Sequence, residues 1–262
     1  MTTATSYTTR TVQVADGRFS IEMKEAGRGE PLLYLHNMSA QLDWFPFMDR
    51  LAERYRVLAP VFPGFGESTG LENIDDPTDT VVYHNDLLDA LGVESAYVMG
   101  HELGGSFAAE LAALSPHRVR KLVLVDAYGL WLEEHPCPDI FATPRRTLPT
   151  LLWHDPSAEF AQDYNPSTRD PEITIQRTRA QTAGSRFLWQ FPNRGLSKRI
   201  HRISSPTLIV WGESDRLIPL EYGKAFNALI RGSKLVTIKE AGNLPMLEQP
   251  DAFMKAVTDF LG

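Results

Sequence analysis

Short apolar runs separated by longer amphipathic stretches dominate the hydrophobic pattern of the chain. Two alternating runs, TVQVADG and RFSIEMKEAG, meet at Asp16-Gly17, a pair that suits the positive φ angles of a tight turn, and they predict a β-hairpin between Thr11 and Gly27. Continuous apolar runs of strand length follow, and they predict buried strands at 31–36, 56–61, 95–100, 121–127, 206–212 and 234–242.

Helical patterns fill most of the intervals between these strands. Each is long enough to cross back over a sheet, and they lie at 45–54, 78–91, 103–114, 220–230 and 252–261. Strands that alternate with helices predict a mainly parallel sheet. The fold class expected from the pattern is therefore α/β.

The alternation stops between Tyr128 and Ser205, where eight prolines interrupt amphipathic stretches that contain no convincing strand. We predict a helical insertion, or lid, over 128–205 and a core formed by 1–127 and 206–262. The second half of the insertion is basic, which is more typical of a solvated helix face than of an anion site. Its cationic residues are Arg177, Arg179, Arg186, Arg194, Lys198, Arg199 and Arg202.

Composition limits the function classes. The 262 residues are 43% hydrophobic and 23% charged, as in ordinary globular proteins. A net charge of −7 argues against nucleic acid as a partner. The chain begins with polar residues and has no apolar run near the roughly 20 residues that span a bilayer, so neither export nor membrane insertion is expected. The one cysteine, Cys137, cannot form an internal disulfide, which fits a cytoplasmic location.

The sharpest local signal is VMGHELGG, from Val98 to Gly105. It ends a predicted strand and opens an alanine-rich helix, and its small residues permit a sharp turn. At such a turn the central side chain is pushed out over the carboxyl edge of the sheet, where open α/β sheets bind ligands. In this chain that side chain is Glu102.

With these motifs the chain resembles the α/β-hydrolase superfamily, in particular lidded meta-cleavage C–C hydrolases, esterases and epoxide hydrolases. The resemblance covers nearly the whole chain. It implies the α/β-hydrolase fold, with a mainly parallel eight-stranded sheet, helices on both faces and a helical lid. The supporting motifs are LYLHNMSA (33–40), PGFGES (63–68), GHELGG (100–105), VWGESDRLIP (210–219) and EAGNLPMLEQP (240–250).

Residue by residue, the resemblance implies an atypical catalytic triad. Glu102 stands where the family has its nucleophile, which is usually serine, or aspartate in epoxide hydrolases. Asp215 matches the acid, Asn243 replaces the catalytic histidine, and Asn37 replaces the glycine that follows His36. An asparagine amide cannot exchange a proton as an imidazole does, so turnover by the usual double displacement is not expected.

Two backbone donors do not depend on side chains and survive these changes. The resemblance assigns the oxyanion hole to the amides of Met38 and Leu103. A polarised carbonyl beside the Glu102 carboxyl is a usable arrangement, with Asn243 orienting the substrate or Glu102. The helix N-terminus favours an ionised Glu102, a general base, whereas an apolar pocket favours the neutral acid, and the sequence leaves both forms open.

Other residues are candidate contacts for the substrate. Asp126 closes a predicted strand at a position that some superfamily members use for the acid, although a capping role competes. His101 directly precedes Glu102 and is expected mainly to orient the loop. Arg186 and Trp189 resemble the lid helix of C–C hydrolases, in which an arginine could orient a carboxylate. The candidate substrate-binding residues are His36, Asn37, His101, Asp126, Arg186 and Trp189, and the candidate catalytic residues are Glu102, Asp215, Asn243, Met38 and Leu103.

We expect neither a metal nor a cofactor. His101-Glu102 begins like an HExxH zinc helix, but position 105 is glycine, and the glycines fit neither a dinucleotide fingerprint nor a P-loop. The expected partner is a small molecule, and self-association stays open. Three functions remain: acid–base chemistry by Glu102 on a small apolar or aromatic carbonyl compound, hydrolysis with Glu102 as covalent nucleophile, or catalytically silent ligand binding.

Overall fold

The computed structural model describes residues 7–38, 42–164, 170–188 and 192–262. Eight strands within these ranges form one sheet in the order β1-β2-β4-β3-β5-β6-β7-β8. They are β1 (Thr8–Val14), β2 (Phe19–Ala26), β3 (Glu30–Leu35), β4 (Tyr55–Pro60), β5 (Ala96–His101), β6 (Val119–Val125), β7 (Thr207–Gly212) and β8 (Lys234–Ile238). The α/β-hydrolase fold expected from the motifs is confirmed.

The opening hairpin is confirmed, and it forms the antiparallel edge of the sheet. β1 pairs with β2 around a turn in which Asp16 and Gly17 have φ angles of 54° and 84°. β2 then pairs antiparallel with β4. All remaining pairs, from β4 through β3 to β8, are parallel. The carboxyl ends of β3, β5, β6 and β7 therefore lie side by side along one edge of the sheet.

Helices cover both faces of this sheet because its central strands are apolar on both sides. One apolar cluster joins the sheet to α2 (Pro77–Ala90), α3 (Leu103–Leu114) and α7 (Leu220–Leu229). A second cluster on the opposite face includes α1 (Pro46–Ala52), α8 (Pro245–Glu248) and α9 (Pro250–Leu261). Every residue of α3 except its last is buried, so the helix that follows Glu102 is fixed firmly in the core.

The described part of 128–205 contains three α-helices, two 3-10 helices of three residues each (Leu196–Lys198 and Ile200–Arg202) and no strand. The α-helices are α4 (Leu148–Leu152), α5 (Glu159–Tyr164) and α6 (Pro171–Leu188). The end of α6 packs on the core, where the Phe187 ring lies edge-on to Phe107 with ring centroids 5.0 Å apart. The division into core and insertion stays an interpretation, as does any motion of the insertion as a lid.

Five of the seven basic residues that the sequence assigns to a solvated face are exposed, and two of the seven also contact α3. Arg199 binds the buried Glu110 carboxylate of α3 with two hydrogen bonds, of 2.8 and 2.5 Å. Arg202 donates to the Ala113 carbonyl at 3.1 Å, in the last turn of α3, where helix carbonyls lack internal partners. These long side chains fasten the insertion to the helix that follows Glu102.

Candidate active site

Glu102 lies at the sharp turn between β5 and α3, with φ of 54° and ψ of −111°. A positive φ is uncommon for a residue that has a Cβ and costs about 1–3 kcal/mol. Close backbone approaches hold the turn: a methyl group on Gly100 would overlap the Gly104 carbonyl, and one on Gly104 would overlap the Leu35 carbonyl. The strained turn places Glu102, which is buried, at the carboxyl edge of the sheet.

The surroundings of Glu102 favour a carboxyl group that titrates near neutrality. The Met38 amide donates to Glu102 Oε2 at 3.1 Å. Leu103 begins α3, so its amide is one of the first-turn amides that a helix leaves without an internal partner. Burial raises the pKa of Glu102 to about 7, opposed by the Met38 hydrogen bond and reinforced by the charge of Asp215. Both protonation states are therefore available near pH 7.

His36 and Asn37 hold the segment that carries the Met38 amide. The Phe62 amide donates to His36 Nε2 at 2.9 Å, so the ring proton lies on Nδ1, which donates to the Asn37 carbonyl at 2.6 Å. Burial lowers the pKa of His36 to about 4, which keeps the ring neutral. Asn37 Nδ2 donates to the Tyr164 hydroxyl of α5 at 3.0 Å. Contact of either residue with a substrate stays a prediction.

Asp215 and Asn243 are brought together as the resemblance implies for the acid and the residue in the histidine position. Asp215 Oδ1 accepts hydrogen bonds from the amides of Leu217 and Ile218, at 2.8 and 2.9 Å. Its Oδ2 accepts one from Asn243 Nδ2 at 3.0 Å. The amide nitrogen of Asn243 is thus committed to the acid. It has no basic nitrogen to offer a substrate.

His101 ties the turn at Glu102 to the loop that carries Asn243. Its Nε2 donates to the Asn243 carbonyl at 2.7 Å. Burial lowers the pKa of His101 to about 4, so the ring is neutral near pH 7. This geometry fits the orienting role predicted from the sequence.

Asp126 follows β6 and lies directly against the acid. It has a φ of 42° and is fully buried, and its Oδ1 accepts from the Gly212 amide at 2.9 Å. The carboxyl groups of Asp126 and Asp215 lie close enough to interact electrostatically. Burial raises the pKa of Asp126 well above its ordinary value, and the charge of Asp215 adds to the effect. The structure therefore assigns Asp126 to a carboxyl pair.

The insertion supplies two of the predicted substrate-binding residues, Arg186 and Trp189. Arg186 Nη1 donates to the carbonyls of Leu71 and Ile74, at 2.9 and 2.7 Å, so this guanidinium is engaged with the loop after β4. The contacts support an anchoring role for Arg186, and its contact with a substrate carboxylate stays a prediction. Trp189 lies outside the described residues.

A family profile for the alpha/beta hydrolases matches residues 32–256. The chain belongs to this family. It is 29% identical to 2-hydroxy-6-oxo-2,4-heptadienoate hydrolase of Pseudomonas putida, over 95% of both chains. It is 30% identical to 2-hydroxy-6-oxononadienedioate/2-hydroxy-6-oxononatrienedioate hydrolase of Klebsiella pneumoniae, over 97% of this chain and 96% of that one. Among solved structures, a meta-cleavage product hydrolase of Pseudomonas fluorescens has a similar fold, with a TM-score of 0.78, 23% identity, and coverage of 96% and 97%.

Within this alpha/beta hydrolase, sequence analysis did not single out the tyrosines around Glu102. Tyr34 and Tyr128 both interact electrostatically with Glu102. Their positions carry a weak signal, since Tyr34 precedes His36 by two residues and Tyr128 follows Asp126 by two. The position of Tyr164, which accepts the hydrogen bond from Asn37, carries no such signal in the sequence, because 127 residues separate the two.

A second feature that sequence analysis missed is a serine–histidine contact. His154 Nδ1 and Ser214 Oγ lie 2.8 Å apart, and the His154 amide donates to Glu248 Oε1 at 2.7 Å. His154 is exposed, and the contact lies on the outer side of the loop that carries Asp215. No described hydrogen bond links this pair to Glu102.

The part of the chain that the structure describes contains neither a metal-binding cluster nor a membrane-spanning helix. No three histidine, cysteine, aspartate or glutamate side chains there are grouped so that they could hold a metal ion. No helix there combines the length and apolar character needed to cross a bilayer.

Proposed function

We propose that this alpha/beta hydrolase uses Glu102 as a general acid and base on a small, apolar or aromatic carbonyl-bearing substrate. The observation that supports this most strongly is Glu102 itself, which is buried at the sharp turn, accepts the Met38 amide and has a pKa raised to about 7. A general acid or base is most effective when its pKa lies near the working pH. Residues that hold Glu102 and Met38 surround it from β3, β5 and α5.

The proposed chemistry begins with the ionised form of Glu102. The carboxylate takes a proton from the carbon next to the substrate carbonyl, and the electron pair moves onto the carbonyl oxygen. The amides of Met38 and Leu103 stabilise the resulting enolate. Glu102 then returns its proton to another atom of the substrate, as in an isomerase, lyase or cyclase. The substrate oxygen takes the Met38 hydrogen bond that Glu102 Oε2 holds in the structure.

The substrate class follows from the relatives and from the rings near the site. The Pseudomonas putida and Klebsiella pneumoniae relatives are named for small oxo acids. Tyr34 and Tyr128 are buried and lie close enough to Glu102 to interact with it electrostatically. We therefore propose a small carbonyl compound with an apolar or aromatic body.

A covalent mechanism at Glu102 receives less support. Hydrolysis of an ester on Glu102 needs a group that activates water, normally an imidazole. His36 and His101 bond to backbone groups and have pKa values lowered to about 4, and Asn243 donates to Asp215. No other imidazole in the described residues is bonded to this network.

Silent ligand binding is the second candidate, and one contact favours it. The Met38 amide, which would polarise a substrate carbonyl, is occupied by Glu102 Oε2. If this bond is stronger than any bond to a substrate, the pocket binds ligands without turnover.

Turnover by Glu102→Gln decides between catalysis at Glu102 and silent binding, and proton exchange next to the carbonyl separates acid–base chemistry from a covalent mechanism. Wild type, Glu102→Gln and Ser214→Ala are compared on esters, epoxides, lactones and β-diketones, and proton exchange next to the carbonyl is followed by NMR in deuterated water. We expect wild-type activity to fall by about 10²–10⁴-fold in Glu102→Gln and to persist in Ser214→Ala. Equal activity in wild type and Glu102→Gln contradicts the proposal. Binding without turnover in either protein favours the silent function, and loss in Ser214→Ala implicates the surface pair.

A further inference from the structure

Two carboxyl groups lie side by side beneath the loop that follows β7. Asp126 directly follows β6 and Asp215 is three residues beyond β7, and the parallel pairing of these strands brings the two positions together. Both residues are buried, and their carboxyl groups lie close enough to interact electrostatically. Two buried carboxylates side by side repel each other, and burial alone already disfavours the charged form. Both effects favour a proton on one of the pair.

The hydrogen bonds of the two side chains indicate which carboxyl group carries the proton. Asp215 receives three: two amides at Oδ1 and Asn243 Nδ2 at Oδ2. That environment suits an ionised carboxylate, which only accepts. Asp126 receives the Gly212 amide at Oδ1, whereas its buried Oδ2 has no donor among the described residues. A proton on Asp126 Oδ2 makes this atom a donor to Asp215 and removes the cost of a buried oxygen without a donor.

The surroundings of the pair reinforce this assignment. Four acidic groups interact electrostatically with the pair, and each would add negative charge on losing a proton. No described lysine or arginine forms an ion pair with Asp126 or Asp215. The acidic neighbours are Glu102, Tyr128, Cys137 and Glu248.

We propose that Asp126 and Asp215 share one proton, carried by Asp126, and that Asp126 is a positioning residue for Asn243. The proton on Asp126 keeps Asp215 ionised, and the ionised Asp215 can only accept. Asn243 must then present its amide nitrogen to Asp215, which fixes the orientation of the side chain in the histidine position. If Asp215 held the proton, its O–H would donate a hydrogen bond to the side-chain oxygen of Asn243, and the Asn243 amide would be turned the other way.

Asp126→Asn tests the proton assignment, because asparagine can still accept from Gly212 and donate to Asp215 but does not titrate. The pKa of Asp126 is raised in the folded state, so stability is fully present below its unfolded value of 3.8 and is lost as the pH rises through the folded value. We expect the Tm of wild type to fall between pH 5 and pH 9. The fall should be smaller in Asp126→Asn, which should melt higher than wild type at pH 9 by about 3 °C or more.

Asp215→Asn tests the accepting side of the pair. It replaces Oδ2, which accepts from Asn243, with a nitrogen that would face the Asn243 nitrogen. In nitrogen-15 NMR spectra the Asn243 side-chain amide should stay protected from exchange in wild type and Asp126→Asn, and lose protection in Asp215→Asn. Retained protection in Asp215→Asn, or a lower Tm for Asp126→Asn than for wild type at pH 9, overturns the proposal.

Infrared spectroscopy keeps the proposal testable if either variant fails to fold. In Glu102→Gln, which removes one of the other buried carboxyl groups with a raised pKa, the proposal expects a protonated carboxylic acid band that persists above pH 7. Absence of that band overturns it. None of these readouts depends on turnover, so they are independent of the function proposed for Glu102.

Discussion

Replacement of Glu102 by glutamine is expected to make the folded protein increasingly more stable than wild type as the pH rises. Burial raises the pKa of Glu102 from 4.5 to about 7, so the folded state resists an ionisation that the unfolded chain undergoes freely. A raised pKa of this kind contributes stability that is present below pH 4.5 and lost as the pH rises through 7. At about 1.4 kcal/mol per pH unit, the loss over this window is about 3 kcal/mol.

Urea unfolding at a series of pH values from 4.5 to above 7 measures this effect. Because glutamine does not titrate, the unfolding free energy of Glu102→Gln minus that of wild type should grow by about 3 kcal/mol across the window. Asp251→Asn is the matched control, since the Asp251 side chain is 95% exposed, and its difference from wild type should stay flat. A flat difference for Glu102→Gln, or one that shrinks with rising pH, would refute the reasoning.

Packing and charge lead to three other predictions. Arg199→Met leaves the Glu110 carboxylate buried without its partner, and urea unfolding should show a loss of about 3–5 kcal/mol; a loss no larger than that of Arg199→Lys would contradict this. Gly104→Ala drives a methyl group into the Leu35 carbonyl, so its Tm should fall well below that of wild type, and an unchanged Tm would show that the turn has room. A carbonyl ligand with a carboxylate should bind at pH 8 about tenfold more weakly than its methyl ester, because the acids around Glu102 repel it; equal affinities in calorimetry would contradict this.

Local spacing in the sequence predicted the parts of the structure that depend on neighbours along the chain. The hairpin at Asp16-Gly17 and the alternation of strands and helices are confirmed, because turn chemistry and hydrophobic periodicity act over a few residues. The sharp turn at Glu102 could also be predicted, since Gly100 and Gly104 are needed wherever backbones approach so closely.

Contacts between distant segments could not be predicted in the same way. The carboxyl pair of Asp126 and Asp215 depends on the register of β6 against β7, and nothing near either residue encodes it. Arg199 reads as one of several exposed cations, yet its partner is 89 residues away. The protonation of Glu102 was left open because burial, which decides it, is a property of the folded chain.

The central claim is that Glu102 exchanges a proton near neutral pH, and a direct titration tests it. Carbon-13 NMR of protein labelled at the glutamate carboxyl, with the resonance assigned by its loss in Glu102→Gln, follows this group alone as the pH changes. The account predicts a midpoint near 7. A midpoint near the ordinary value of 4.5 would contradict it, because Glu102 would then be a permanent anion with no proton to give.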